Sequence, residues 1–238
     1  MAGEVEELLR LPGSRSTPPA VAPAPPDAAV LPTIVDVGCD HAGLGLTLLH
    51  RSARTGVRVG TAIAVDLKAA PCALARLNAA RLGLPLDVRQ GDGLAVVPET
   101  IDVVTLCGMG SETIVAILEA ARLANRRVHA AVVQPNDAGE AIRRWCLTTR
   151  QGSGASWSVV RERGVWDRRY YGVLVLRRHE LDILASTPAA PDDVELAWGP
   201  SAQLDRAALA RRLDDEISRL DQHGKPTALA LAARSRCG

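Results

Sequence analysis

From Thr33 onward the chain alternates short β-branched runs with segments of helical periodicity, and this alternation constrains the fold more than any other feature. The first run, Thr33-Ile34-Val35-Asp36-Val37, stops at Gly38 and has the length and flanks of a strand buried on both faces. Leu44, Leu48 and Leu49 then fall on one face of a helix. The pattern continues as a strand over Val59–Val65, a helix over Ala70–Leu82, strands over Leu86–Arg89 and Ile101–Leu106, a helix over Glu112–Leu123, a strand over His129–Val133 and a helix over Ala138–Leu147. Strands separated by helices pair in parallel, because a parallel crossover needs a helix's length of chain, so the sequence predicts a doubly wound α/β sheet.

Two later β-rich runs, Ser156–Arg161 and Tyr170–Leu176, have only the polar stretch Glu162–Arg169 between them, and predict an antiparallel hairpin at the sheet edge. Five parallel strands and a terminal hairpin match the seven-stranded, Rossmann-like sheet of class I methyltransferases. From Glu180 the pattern turns helical. Leu204, Leu209, Leu213, Ile217 and Leu220 lie among charges and predict an amphipathic helix ended by Gly224 and Pro226. Before the first strand, seven prolines between Pro12 and Pro32 remove backbone donors and favour extended chain. The expected organisation is therefore a Pro-rich, disordered arm over 1–32, the α/β domain over 33–178, and a short helical appendage and tail over 179–238.

No window is long and apolar enough for a membrane helix, and Glu4, Glu6 and Glu7 stand where a signal peptide would carry basic and then apolar residues. A soluble, cytoplasmic protein is expected. The five cysteines are odd in number, widely spaced and free of any Cys-x-x-Cys, so neither a disulfide framework nor a metal site is indicated. With no Phe in 238 residues, the core must be built from Leu, Val, Ile and Ala. The net charge of +1 hides an asymmetry: residues 122–178 hold twelve Arg against four acids. Guanidinium forks pair with phosphate, so this block suits a nucleic-acid surface, and Arg143, Arg144, Arg168 and Arg169 are its candidate contacts. Its other reading is a set of solvated Arg ends.

Candidate site residues collect at strand ends, the edge where open α/β sheets bind ligands. The first strand ends Asp36-Val37-Gly38-Cys39-Asp40-His41-Ala42, with one glycine where a dinucleotide fingerprint needs three. A pyrophosphate cradle is disfavoured. S-adenosylmethionine requires instead a tight turn near main chain and carboxylates for its ammonium and ribose, which Asp36, Gly38 and Asp40 supply. Asp66, with Leu67 after it, ends the second strand and is placed to accept from ribose hydroxyls. Asp92, within Gly91-Asp92-Gly93, could meet an adenine amino group. Each acid has a second reading as helix cap or turn residue. The fourth strand ends Leu106-Cys107-Gly108-Met109-Gly110, where glycines let a substrate approach the backbone. The fifth ends Gln134-Pro135-Asn136, whose amides could read the edge of a flat base, or Asn136 could cap the next helix.

In identity, order and spacing, Asp36 to Ala42, Gly91-Asp92-Gly93-Leu94, Gly108-Met109-Gly110, Gln134-Pro135-Asn136 and Trp145 resemble the signatures of the bacterial tRNA adenine-22 N1-methyltransferases, the TrmK family, over roughly residues 33 to 223. The chain departs from that pattern at Gly43-Leu44-Gly45, where the family usually has an aromatic residue and Leu-Pro, at Ser111, where a further glycine is common, and in its Pro-rich arm, which replaces a basic helix. The resemblance implies S-adenosyl-L-methionine as cofactor, tRNA as partner and methylation of adenine N1. Asp40, His41, Gln134 and Asn136 are the candidate catalytic residues. Asp36, Gly38, Asp40, Asp66, Leu67, Gly91, Asp92, Gly93, Cys107, Gly108 and Met109 are the candidate cofactor contacts. A monomer without metal is expected. The alternatives are a small-molecule methyltransferase and a non-catalytic RNA-binding protein with the same fold.

Overall fold

The run that ends at Gly38 is a strand whose Ile34, Val35 and Val37 are almost fully buried, as its β-branched composition requires. A computed structural model describes residues 2, 31–55, 58–151, 155–167, 169–180, 206–223 and 227–237. Its elements are β1 (Thr33–Val37), α1 (Gly43–Thr55), β2 (Thr61–Asp66), α2 (Ala69–Leu82), β3 (Leu86–Gln90), β4 (Thr100–Met109), α3 (Ser111–Leu123), β5 (Arg127–Pro135), α4 (Glu140–Gln151), β6 (Ser156–Asp167), β7 (Arg169–His179), α5 (Arg206–Gln222) and α6 (Ala228–Ser235). The strands form one mixed sheet in the order β3-β2-β1-β4-β5-β7-β6. β1 pairs in parallel with β2 and β4, β2 with β3, and β6 with β7 antiparallel. The class I methyltransferase sheet expected from the alternation is the one observed.

By internal contacts the chain divides into two compact units, Met1–Cys107 with Ile117–Val132, and Gly108–Ala116 with Val133–Gly238. In the first, a cluster of Cys39, Ala42, Leu46, Ala64, Cys72, Ala75, Ala79 and Val88 packs α1 and α2 onto the strands. Half of these are alanine, so small side chains let helix backbones lie close to the sheet. α1 buries Leu46, Leu48 and Leu49, while Leu44 is only half-buried.

In the second unit, Trp145 of α4 and Trp157 of β6 meet with ring centroids 5.7 Å apart. Leu213 of α5 is fully buried against Ala230 and Ala233 of α6, with Tyr170, Ile217 and Leu220 around it, and the Arg212 guanidinium stands 4.8 Å over the Tyr170 ring. α6 has no counterpart in the sequence reading.

The hairpin differs from expectation in length. The stretch from Glu162 is not a connecting loop but continues β6 to Asp167. The ladder has a register shift: Val159 faces Leu176 and Arg161 faces Val175, leaving Val160 as a bulged residue. Strict alternation from Trp157 would turn Glu162 outward. The bulge returns it to the face of Trp157, where it is buried. The arm, apart from residues 2, 31 and 32, lies outside the described residues, as do Leu204, Gly224, Pro226 and Arg168.

Candidate active site

After β1 the backbone turns through left-handed conformations at Gly38 (φ 71°), Asp40 (φ 49°) and Ala42 (φ 61°). Two of these are not glycine, and such residues persist only where neighbours fix them. The Gly38 and Cys39 amides both donate to the Val65 carbonyl, at 2.8 and 3.0 Å. The Asp40 amide donates to Asp66 Oδ2 at 3.2 Å, and the Lys68 amide to Asp66 Oδ1 at 3.0 Å. Asp66 thus clasps the turn after β1 to the end of β2. Each of its oxygens keeps a second lone pair. Leu67 follows, 64% exposed, and its carbonyl accepts from Gln90 Nε2 at 3.2 Å. The Gly91 amide donates to the Asp66 carbonyl at 3.0 Å, and exposed Asp92 opens the next turn.

Asp36 behaves differently. It is buried, accepts from Thr105 Oγ1 at 2.7 Å and from the Gly45 amide, and realises the helix-anchoring one of its two readings. Burial raises its pKa to about 6, and the two hydrogen bonds hold it from rising further. Burial first, and the Asp36 charge second, push the thiols of Cys39 and Cys107 up to about 12. Both are therefore thiols rather than thiolates at neutral pH. Exposed Asp40 holds His41 through Oδ2 to Nδ1 at 2.8 Å. The His41 carbonyl accepts from Asn78 Nδ2 at 3.0 Å. A Cβ on Gly43 would stand 2.9 Å from His41 Nε2. The imidazole thus fills the place where a side chain at 43 would begin, and supplies a flat ring there in its stead.

In the second unit, Gly108 has φ 72°, and a Cβ on it would meet nothing within 4 Å. Its left-handed backbone demands glycine, and its Cα faces open space. Asn136 grips this turn: Nδ2 donates to the Gly108 carbonyl at 2.6 Å and its amide to the Met109 carbonyl at 2.7 Å. Gln134 Nε2 donates to the Pro135 carbonyl at 2.6 Å. A carbonyl only accepts, so both amide groups are oriented, and Asn136 Oδ1 and Gln134 Oε1 remain as acceptors. The helix-capping role belongs to Asp137, whose Oδ2 accepts from the Ser111 amide and Oδ1 from the Gly139 amide, each at 2.8 Å.

The arginine block needs correction. Arg143 is 7% exposed and forks onto Glu162, 2% exposed, with Nε to Oε2 at 3.2 Å and Nη2 to Oε1, while Nη1 donates to the Ala138 carbonyl at 2.8 Å. A buried, neutralised guanidinium is not available to phosphate. Arg144 is exposed and pairs with Glu140 one helical turn away at 2.7 Å. Of Arg169 only the backbone is described, in β7. The sequence reading passed over Thr105, Asn78 and Asp137. Thr105 is the lone hydroxyl between Ile101 and Leu106, a usable signal; Asn78 and Asp137 give none. Among the described residues no group of His, Cys, Asp and Glu could hold a metal ion, and no helix is long and apolar enough to cross a membrane.

Residues 34–228 match the family model for tRNA (adenine(22)-N(1))-methyltransferase. The chain belongs to this family. It is 31% identical over 177 residues to the tRNA (adenine(22)-N(1))-methyltransferase of Bacillus subtilis (strain 168), a span of 73% of this chain and 66% of that protein, so it covers just under two thirds of this family member. In fold it is similar to M. capricolum TrmK in complex with S-adenosyl-homocysteine, with TM-score 0.65 and 21% identity over 87% of this chain and 88% of that one. It is likewise similar to Streptococcus pneumoniae Sp1610 in complex with S-adenosyl-L-methionine, with TM-score 0.66 and 22% identity over 87% and 90%.

Proposed function

We propose that this chain methylates N1 of an adenine in tRNA, adenine 22 in its family's name, with S-adenosyl-L-methionine as donor. The residues of the first unit fit that cofactor. The two unused lone pairs on Asp66 suit vicinal ribose hydroxyls, the exposed Leu67 side chain offers an apolar surface for a base, and Asp92 is open to an amino group. Gly38 carries no side chain at the turn after β1, and Gly91 and Gly93 let the turn after β3 pack closely against Val96 and Ile117. When bound, the cofactor supplies a methyl carbon activated by its sulfonium.

The observation that carries the choice of adenine is the Asn136 clasp on Gly108. With one N–H of each amide tied to a carbonyl, the Gln134 and Asn136 side chains are fixed in orientation and their oxygens are left as acceptors. The oxygens can take the hydrogens of an adenine amino group, which lies beside N1 on the same edge of the base. That lone pair is already in plane on the neutral base, so no strong general base is required, and alignment with exclusion of water can supply much of the rate. Gly108 and Met109 give the base close access to main chain. A paired adenine hides N1, so the base must leave its stack at a cost of a few kcal/mol, and the acceptor edge holds it once out. Asp40 orients His41 and keeps its second oxygen for the ligand.

The test is methyl transfer from labelled S-adenosylmethionine to tRNA from a strain lacking the gene, with nucleoside mass spectrometry. 1-Methyladenosine mapped to position 22 is the expected product. Label in another nucleoside, or in none while a small-molecule acceptor is methylated, would sink the proposal.

A further inference from the structure

Neither the thirteen residues of α1 nor the fourteen of α2 include an Asp or a Glu. The nine acids between residues 31 and 121 all lie on strands, their ends or α3, whereas the two helices carry His50, Arg51, Arg54, Arg76 and Arg81. Arg76 is engaged, donating to the Val88 carbonyl at 2.9 Å. Arg81 and His50 are exposed and make no ion pair among the described residues. Between the helices opens a cavity of about 510 Å³, whose walls include His41, Leu46, Thr47, His50, Arg81 and Leu82. Leu74 and Asn78 share the helical face of Arg81 and Leu82, and Leu74 and Leu82 are both solvent-exposed.

An apolar floor, a cationic rim and no carboxylate in the wall select an anion with an apolar body. The volume lies within the range of about 300–1,000 Å³ typical of small-ligand sites. A nucleotide of single-stranded RNA fits on each count: phosphate to Arg81 and His50, ribose and base against Leu46, Leu82 and the His41 ring. The groove also has a direction. His41 follows Asp40, whose amide is held by Asp66, and its carbonyl is held by Asn78 on α2. We infer that the α1–α2 groove binds a tRNA nucleotide flanking the methylated adenine, with Arg81 as its phosphate contact. This rests on the proposed function and adds a second point of RNA contact to it.

The experiment compares full-length wild type with Arg81→Glu, with Thr47→Trp, which fills the groove from its exposed rim, and with Arg219→Glu. Arg219 is an exposed α5 arginine paired with Glu216, so its reversal matches the charge change of the first variant. Each is measured for tRNA affinity across a salt series, S-adenosylmethionine affinity and KM for tRNA. Arg81→Glu is expected to weaken tRNA binding by about tenfold or more. Its logarithmic salt slope should be shallower by about 0.7 to 0.9. Thr47→Trp should raise KM for tRNA, and cofactor affinity should stay at wild type in all three. Wild-type methylation of tRNA with an unchanged slope and KM in Arg81→Glu would overturn the groove and leave the function standing. Equal weakening by Arg219→Glu would reduce the effect to net charge and overturn it too. A free nucleoside monophosphate whose binding depends on Arg81, with tRNA affinity unmoved, would assign the groove to a free ligand instead. A wild type that neither binds nor methylates tRNA would remove both proposals together.

Discussion

Residues 122–178 carry twelve arginines and α1 with α2 only four, yet several guanidiniums of the richer region are already answered by partners. In the rich segment five of the described guanidiniums are engaged, while Arg127 is exposed. Arg122 pairs with Glu119, Arg126 donates to the carbonyls of Ala95 and Val97, Arg143 pairs with Glu162, Arg144 with Glu140 and Arg178 with Glu180. On α1 and α2 no acid is within the helices to answer Arg81. A segment's net charge counts residues, whereas a ligand meets only those that the fold leaves without a partner. The same contrast separates two carboxylates thirty residues apart: Asp36 is enclosed and answered by Thr105 and Gly45, while Asp66 holds two amides and keeps lone pairs in reserve.

The largest effect expected from this contrast is on the buried pair. Glu162→Ala leaves the Arg143 guanidinium buried without its counter-charge and should cost about 3–5 kcal/mol in urea unfolding. A loss no greater than that of Glu140→Ala would mean that burial does not separate the two pairs.

Asp36→Asn comes next. The folded-state pKa of about 6 lies above the ordinary 3.8, so the folded state holds the proton more tightly than the unfolded chain. The stability from this group is full below about pH 4 and falls as pH rises through about 6, ending as a penalty of up to about 3 kcal/mol at neutral pH. Asparagine can accept from Gly45 and donate to Thr105 without ionising. The variant's melting temperature should gain on wild type between pH 4 and pH 7, and a constant difference would show that Asp36 does not titrate in that window.

Asp66→Ala should weaken S-adenosylmethionine by roughly ten- to hundred-fold in calorimetry, the loss of a charged hydrogen-bond partner of about 1.5–3 kcal/mol. Unaltered affinity would take Asp66 out of the site. Smallest of all, Arg144→Ala should change stability by no more than about 0.5 kcal/mol, as an exposed i,i+4 pair does. A larger loss would place Arg144 with Arg143 rather than with the surface.

The strands of the parallel half are legible because their buried β-branched runs end at glycines, acids or, in β5, at Gln134-Pro135, and each run lies within a few residues of the observed strand. Polar residues inside a strand are not: Glu162 reads as the start of a loop, since its partner lies nineteen positions away on another element. Arg143 reads as a phosphate contact for the same reason. Local composition cannot show which charges the fold will join. At the site, the carboxyl-end acids were visible one by one, but their division into anchor and ligand-facing groups depends on depth below the surface. α6 went unread because Ala228 to Ser235 is short and follows Pro226 and a glycine.

The bulge at Val160 bears on how this hairpin can change over time. Losing one residue from a strand usually exchanges the inner and outer faces of everything downstream. Here β6 has one residue more than β7 opposes, so a deletion at Val160 should close the ladder with Trp157 and Glu162 still on one face. Elsewhere along the same strand the ladder holds no such spare, which makes this site a hinge point for length variation, where a codon can be gained or lost while the Arg143 pair survives.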